Sequence, residues 1–146
     1  MLEFLTFELN ETKMALPVEA VASIFEAVAF HPSKVERLGI LGDFNLHGEM
    51  IPVLNLDRHW NREPTAIKLD SQIIVLRLND GRIAIVADDV KGTIKVAKES
   101  VISLNAVLPE DALKNPHGLT LHENEIYYVL DIESLLDARL EELLHA

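Results

Sequence analysis

Few side chains in this 146-residue chain could do chemistry, and their spacing argues against most of what they could do. The six histidines stand at 31, 47, 59, 117, 122 and 145. None forms the His-Glu-x-x-His arrangement that sets two imidazoles on one helical face, and no pair has the close spacing of a zinc site. The chain has no cysteine, which removes thiol catalysis, thiolate metal sites and a disulfide framework together. No serine sits in a Gly-x-Ser-x-Gly elbow. Gly39, Gly42 and Gly48 do not fit a Gly-x-Gly-x-x-Gly cradle, and no Gly-Lys-Ser/Thr occurs to hold a phosphate. The remaining candidates for acid–base work are Asp88-Asp89, an acidic pair in an apolar stretch, and Asp57 beside His59. Catalysis by Asp88-Asp89 would need neighbours that the sequence does not identify. As structure the pair simply ends a strand, which is the reading we favour. No catalytic residue, metal site or cofactor is therefore expected, and binding becomes the default. The competing reading is a small ligand-binding or enzymatic β-barrel in which His47, His59, Asp88 and Asp89 converge in one pocket.

The elements that must position these residues read mostly as short strands. Leu2, Phe4, Phe7 and Leu9 alternate roughly with polar residues, Asn10-Glu11-Thr12 is turn-like, and Lys13 to Leu16 returns antiparallel, ended by Pro17. Val18, Val21 and Phe25 stand three and four apart, which predicts one or two turns of helix. Ala27 to Phe30 reads as a strand closed by His31-Pro32. The stretch from Gly39 to Gly48 holds three glycines, which points to special backbone angles or close approach, and Asn45 tolerates the left-handed region. Met50 to Leu56 is an apolar strand whose Pro52 predicts an edge or a bulge. Residues 58–70 read as a loop, with Trp60 covering a core edge. Ile73 to Leu78 and Ile83 to Ala87, joined by Asn79-Asp80-Gly81, form the clearest hairpin. Gly92 to Val96 is a further strand, 108–117 a surface loop, and Leu119 to Leu130 a last hairpin. Ile132, Leu135, Leu136, Leu140, Leu143 and Leu144 make one apolar stripe behind Asp131, which predicts a C-terminal helix. Many short strands with Gly and Pro turns indicate a mainly β fold of small barrels or a sandwich.

The length predicts one compact domain, or two very small lobes sharing one core system, able to bury roughly two-thirds of its unfolded surface without staples. Hydrophobic residues make up 49% and charged residues 25%, a globular mixture and not a disordered one. A net charge of −11 argues against nucleic acid as a partner, because that affinity depends on Lys and Arg neutralising phosphates. The N-terminal residues lack the basic region of a secretory signal, and no uncharged apolar run reaches the roughly 20 residues that span a bilayer, so a cytoplasmic protein with no direct membrane insertion is expected.

Gly42-Asp43-Phe44-Asn45-Leu46-His47-Gly48-Glu49-Met50-Ile51-Pro52-Val53-Leu54-Asn55-Leu56 resembles a motif of the CheW-like family, the coupling proteins of bacterial chemotaxis. Ala15 to Val21, Ile85 to Val90, and Gly118 with Ile126 to Leu136 resemble further segments of the family in the same order. The resemblance implies a mainly β fold of two small five-stranded SH3-like β-barrels packed side by side with a C-terminal helix. It implies a single CheW-like domain over 1–146 made of two interleaved lobes. It also implies a non-enzymatic adaptor linking the cytoplasmic tip of a methyl-accepting chemoreceptor to the regulatory domain of a CheA-type histidine kinase. Carried over by position, it gives Val21, Ser23, Gly42, Asn45, Leu46, His47, Gly48 and Ile51 as partner-binding residues. Ile51, Val53 and Ile73 also shape barrel cores or edges on this reading. The chain departs from the family's pattern at four places: His47 stands for the usual Arg, Ser23 for a common Glu, Asp43 for an apolar residue and Asn55 for Asp. An Arg–carboxylate pair is not replaced by His and Ser. A specialised member, or a structural filler in a receptor array, is the alternative within the family.

Overall fold

The apolar runs Ile73–Leu76 and Ile83–Ala87 do not alternate with polar residues, and their packing explains why. In the computed structural model, which describes residues 1–27, 30–37, 40–57, 67–78, 81–103 and 118–132, both runs are buried on both faces. The described elements are β1 (Leu2–Leu9), β2 (Thr12–Pro17), a 3-10 turn (Val18–Ala20), β3 (Val21–Glu26), β4 (Phe30–Arg37), β5 (Ile40–Leu46), β6 (Glu49–Leu54), β7 (Gln72–Leu78), β8 (Gly81–Ala87), β9 (Asp89–Val96), β10 (Ile102–Ser103), β11 (Gly118–His122) and β12 (Glu125–Val129). They form two six-stranded sheets, one in the order β10-β11-β12-β2-β1-β9 and one in the order β3-β7-β8-β6-β5-β4. The chain thus starts in the first sheet, builds the whole of the second from its middle strands, and returns to finish the first.

Ile74, Leu76, Ile83, Ile85 and Ala87 face a shared core with Leu5, Phe7, Leu9, Met14 and Leu16 of the first sheet. The alternate residues Ile73, Val75, Ala84 and Val86 face a second core with Phe44, Ile51 and Val53. Phe4, Ala15 and Val96 form a third cluster, packed with Ile94, Tyr127 and Val129 of the first sheet. A strand covered on both sides has no solvent face to mark with polar residues. Phe25 of β3 and Phe44 of β5 bring their ring centroids to 5.3 Å, although β7, β8 and β6 lie between those strands in the ladder, so the second sheet curls over its own core.

Three local expectations change. The helical spacing at 18–25 resolves into the Val18–Ala20 3-10 turn and the strand β3. Differences in helix propensity amount to a few tenths of a kcal/mol per residue. Even partial burial of a side chain such as Phe25 against the core is worth on the order of 1 kcal/mol, so pairing with β7 wins. Ala27 donates its N–H to the Ser71 carbonyl at 3.0 Å and precedes β4, which runs through His31-Pro32 and does not stop there. β6 is not an edge: β5 lies on one side and β8 on the other. Pro52 is tolerated because β8 pairs only with Val53 and Leu54, beyond the proline, whose missing N–H is therefore not needed on that side. The hairpins are as expected, with Asn10-Glu11 and Glu123-Asn124 in left-handed turns. Residues 58–66 (with His59 and Trp60), 79–80, 104–117 and 133–146 lie outside the described residues, as does Gly39. The predicted C-terminal helix and the loop over 108–117 are therefore not tested. Among the described residues no helix is long and apolar enough to cross a membrane.

β12 joins β2 through only two parallel pairs, Tyr128 with Met14 and Val129 with Ala15. The exposed pair Lys13 Nζ–Glu125 Oε1, at 2.6 Å, adds to that junction. Its hydrogen bond holds the Glu125 carboxyl below the usual carboxylate range and raises the Lys13 ammonium. A lowered carboxyl pKa contributes stability above its unfolded value and loses it as pH falls through the folded one. A raised ammonium pKa contributes below its unfolded value and loses it as pH rises through the folded one. Glu125→Gln is therefore expected to leave neutral-pH stability nearly unchanged, since exposed pairs are screened. It should also shallow the acid limb of a melting-temperature profile. An acid limb identical to that of the wild type would show the pair to be inert.

Candidate functional site

A two-residue hairpin turn of type I′ needs positive φ at both central positions. His47 and Gly48 supply it with φ of 51° and 90°, closed by Leu46 opposite Glu49. Asn45 does not take the left-handed conformation itself. Its Oδ1 accepts the Gly48 N–H at 2.8 Å, so it locks the turn from the preceding strand. His47, one of the residue types that tolerates this region, is left exposed at the tip. Leu46 is half-buried against the core of the second sheet.

The other glycine of the segment serves a different purpose. Gly42 lies in the middle of β5 and is buried, and a Cβ built there would sit 2.2 Å from the His31 carbonyl oxygen. It is a close-approach glycine between β4 and β5 and offers no side chain to a partner. Ile51 is only 1% exposed, in the core beside Phe44 and Val53. Its side chain faces the sheet's interior, since residues of β6 alternate inward and outward, so Ile51 offers almost no side-chain surface of its own at that end. Asn55, also in the motif, is buried and accepts the Asp57 N–H at 3.0 Å, turning the chain out of β6.

Val21 and Ser23 lie on β3, the edge strand of the same sheet. The register places Val21 opposite Leu76 and Ser23 opposite Val75, so Ala22 is an extra residue, a bulge that twists this edge. Val21 is partly buried against the core shared by the two sheets, and Ser23 is half-buried. Arg77, next after Leu76, donates from Nη1 to the carbonyls of Val21 at 2.8 Å and Glu19 at 3.1 Å.

The registers also decide what comes together. β3, β6 and β8 all begin at one end of the sheet, where β5 and β7 finish. The His47-Gly48 turn is at that end, and Arg82 of β8 pairs with Glu49 there at 3.3 Å. Val21, Arg77 and the turn therefore share one end of one sheet. Asp88 follows the other end of β8, seven residues from Gly81, or about 20 Å at the usual strand rise. There its Oδ2 accepts the Asn10 N–H at 2.7 Å, while Asp89 pairs with Lys91 at 2.7 Å. His47 does not meet Asp88 or Asp89, and His59 lies outside the described residues, so the pocket reading loses its geometry. Among the described residues no group of three or more His, Asp or Glu could hold a metal ion. Arg77 escaped the sequence reading; the one available signal was a charge inside an otherwise apolar strand.

A protein-family model described as a CheW-like domain matches residues 3–140. The chain is similar to the chemotaxis protein CheW of Thermotoga maritima, 27% identical over 135 residues that cover 92% of this chain and 87% of that protein. It is also similar to the chemotaxis protein CheW of Treponema pallidum, 26% identical over 141 residues, covering 94% and 83%. Its fold matches the crystal structure of the scaffolding protein TtCheW from Thermoanaerobacter tengcongensis with a TM-score of 0.80 at 19% identity, over 98% of this chain and 97% of that one.

Proposed function

The chain belongs to the CheW-like family, and from that premise we propose that it links the cytoplasmic tip of a methyl-accepting chemoreceptor to the regulatory domain of a CheA-type histidine kinase. Its general role is that of an adaptor in chemotaxis, in a family of non-enzymatic scaffolds. The observation that carries the finer reading is the shared end of the second sheet: a bulged edge strand bearing Val21 and Ser23 at the same end as the exposed turn at His47-Gly48. Val21 offers a half-buried apolar position at that end, the kind of surface that can seat the apolar face of a helical segment. On this reading the two sheets are the walls of two SH3-like barrels in one interleaved domain over 1–146, working in the cytoplasm. The −11 charge gives no support to nucleic acid as a third partner.

The test is a titration of the purified chain against a receptor tip fragment and against a kinase regulatory domain from the same cell. Binding to both supports coupling, and binding to neither would sink it. Kinase binding without receptor binding would favour a structural filler in an array. Val21→Lys puts a charge onto a half-buried apolar position. We expect it to weaken receptor binding by about tenfold or more, equivalent to about 1.4 kcal/mol, while kinase binding holds. Unchanged receptor affinity would remove Val21 from the contact.

A further inference from the structure

Arg77 is held in an unusual way for an exposed arginine. The pairing of β3 with β7 ends at Val21–Leu76, because the chain before Val21 leaves the sheet as the Val18–Ala20 3-10 turn. Arg77 therefore has no β3 residue opposite it, and its side chain takes the place of the missing strand. Nη1 alone makes both hydrogen bonds, to the Glu19 and Val21 carbonyls. Two bonds from one nitrogen orient the planar guanidinium, so little rotamer freedom remains to be lost on binding. Nε and Nη2 make no hydrogen bond, and the side chain makes no ion pair, among the described residues. Its cross-strand neighbour is Arg82, whose charge is matched by Glu49. In a chain of net charge −11, an oriented cation with no charge partner among the described residues thus stands beside Val21.

We propose that Arg77 is a specificity-determining residue of this face, reading a carboxylate on the docked helical segment with the N–H groups that its backbone clamp leaves open. The inference rests on the coupling reading above and adds the chemistry of the partner to it: an acidic side chain placed next to the apolar residue that meets Val21. Nε and Nη2 lie on one edge of the guanidinium and match the two oxygens of a carboxylate.

The experiment titrates the full chain with the receptor tip fragment at several salt concentrations, comparing wild type with Arg77→Gln, Arg77→Lys and Arg77→Glu. We expect Arg77→Gln to weaken binding by about tenfold and to flatten its salt dependence, as loss of a charge-assisted contact does. Arg77→Lys should recover the salt dependence but not the full affinity, and Arg77→Glu should be the weakest. A clamp with no partner contact predicts instead a lower melting temperature with an unchanged salt slope, which would overturn the proposal. Val21→Lys in the same titration separates the two levels. If it weakens binding while Arg77→Gln keeps wild-type affinity and salt slope, coupling stands and the role of Arg77 falls. If the wild type does not bind, both fall.

Discussion

Replacing Gly42 by alanine is expected to cost about 3 kcal/mol of unfolding free energy, a large share of what holds a domain of this size. The new Cβ would lie 2.2 Å from the His31 carbonyl oxygen, 2.9 Å from the Pro32 Cα and 2.9 Å from the Phe30 Cζ. The phenyl ring can move, but the other two atoms belong to the backbone of β4, paired with β5 at Pro32–Gly42. Relief requires the two strands to separate, which also pulls Phe44 away from Phe25. Gly48 provides the control from the same motif. A Cβ there meets nothing within 4 Å, and the cost comes only from its φ of 90°, about 1 kcal/mol for a side chain in that region. Denaturant unfolding of the two alanine variants should rank Gly42 well above Gly48. Equal midpoints would mean that β4 and β5 are not packed as described.

This contrast shows what could and could not be read from the residues alone. The glycine-rich segment announced special geometry, but not which glycine answered which demand. Close approach depends on the strand that happens to lie alongside, and His31-Pro32 looked like the end of a strand. The hairpin of β7 and β8 was legible because its signals are local: β-branched runs around an Asp-Gly turn. The strand β3 was not, since its bulge at Ala22 inserts one residue into the alternation. Val21 and Phe25 consequently pack against different cores, so the spacing of three and four from Val18 to Phe25 imitates a helix without marking a shared face. Arg77 was out of reach for a related reason. Its role arises from where one ladder stops, and no spacing within β7 records that. Within the His47, His59, Asp88 and Asp89 grouping, His47 stands apart from Asp88 and Asp89 because parallel pairing of β6 with β8 puts its turn at the start of β8, while the two acids follow the end of β8.

Ile51 decides whether the segment from Gly42 to Leu56 acts by contact or by packing. Ile51→Ala is expected to destabilise the protein by about 2–5 kcal/mol, the range for removing a large aliphatic side chain from a well-packed interior. The side chain is 1% exposed and packed with Phe44, Val53 and Val75, none of which can collapse far into the space because both faces of β7 are already filled. Destabilisation should therefore sit toward the upper part of that range. Partner affinity, measured at a temperature where the variant is still folded, should stay within about twofold of wild type, since no atom of a buried residue leaves the interface. The opposite pattern, intact stability with lost affinity, would put Ile51 back on the surface and reverse the inward alternation of β6. Ile51→Val offers an intermediate step: about 1 kcal/mol lost, with affinity again unchanged. If stability falls in that graded way and binding does not, the partner contact belongs to the rim of the same sheet end, at Val21, Arg77 and the His47 turn. The apolar strand behind the rim then acts by holding those residues at their register.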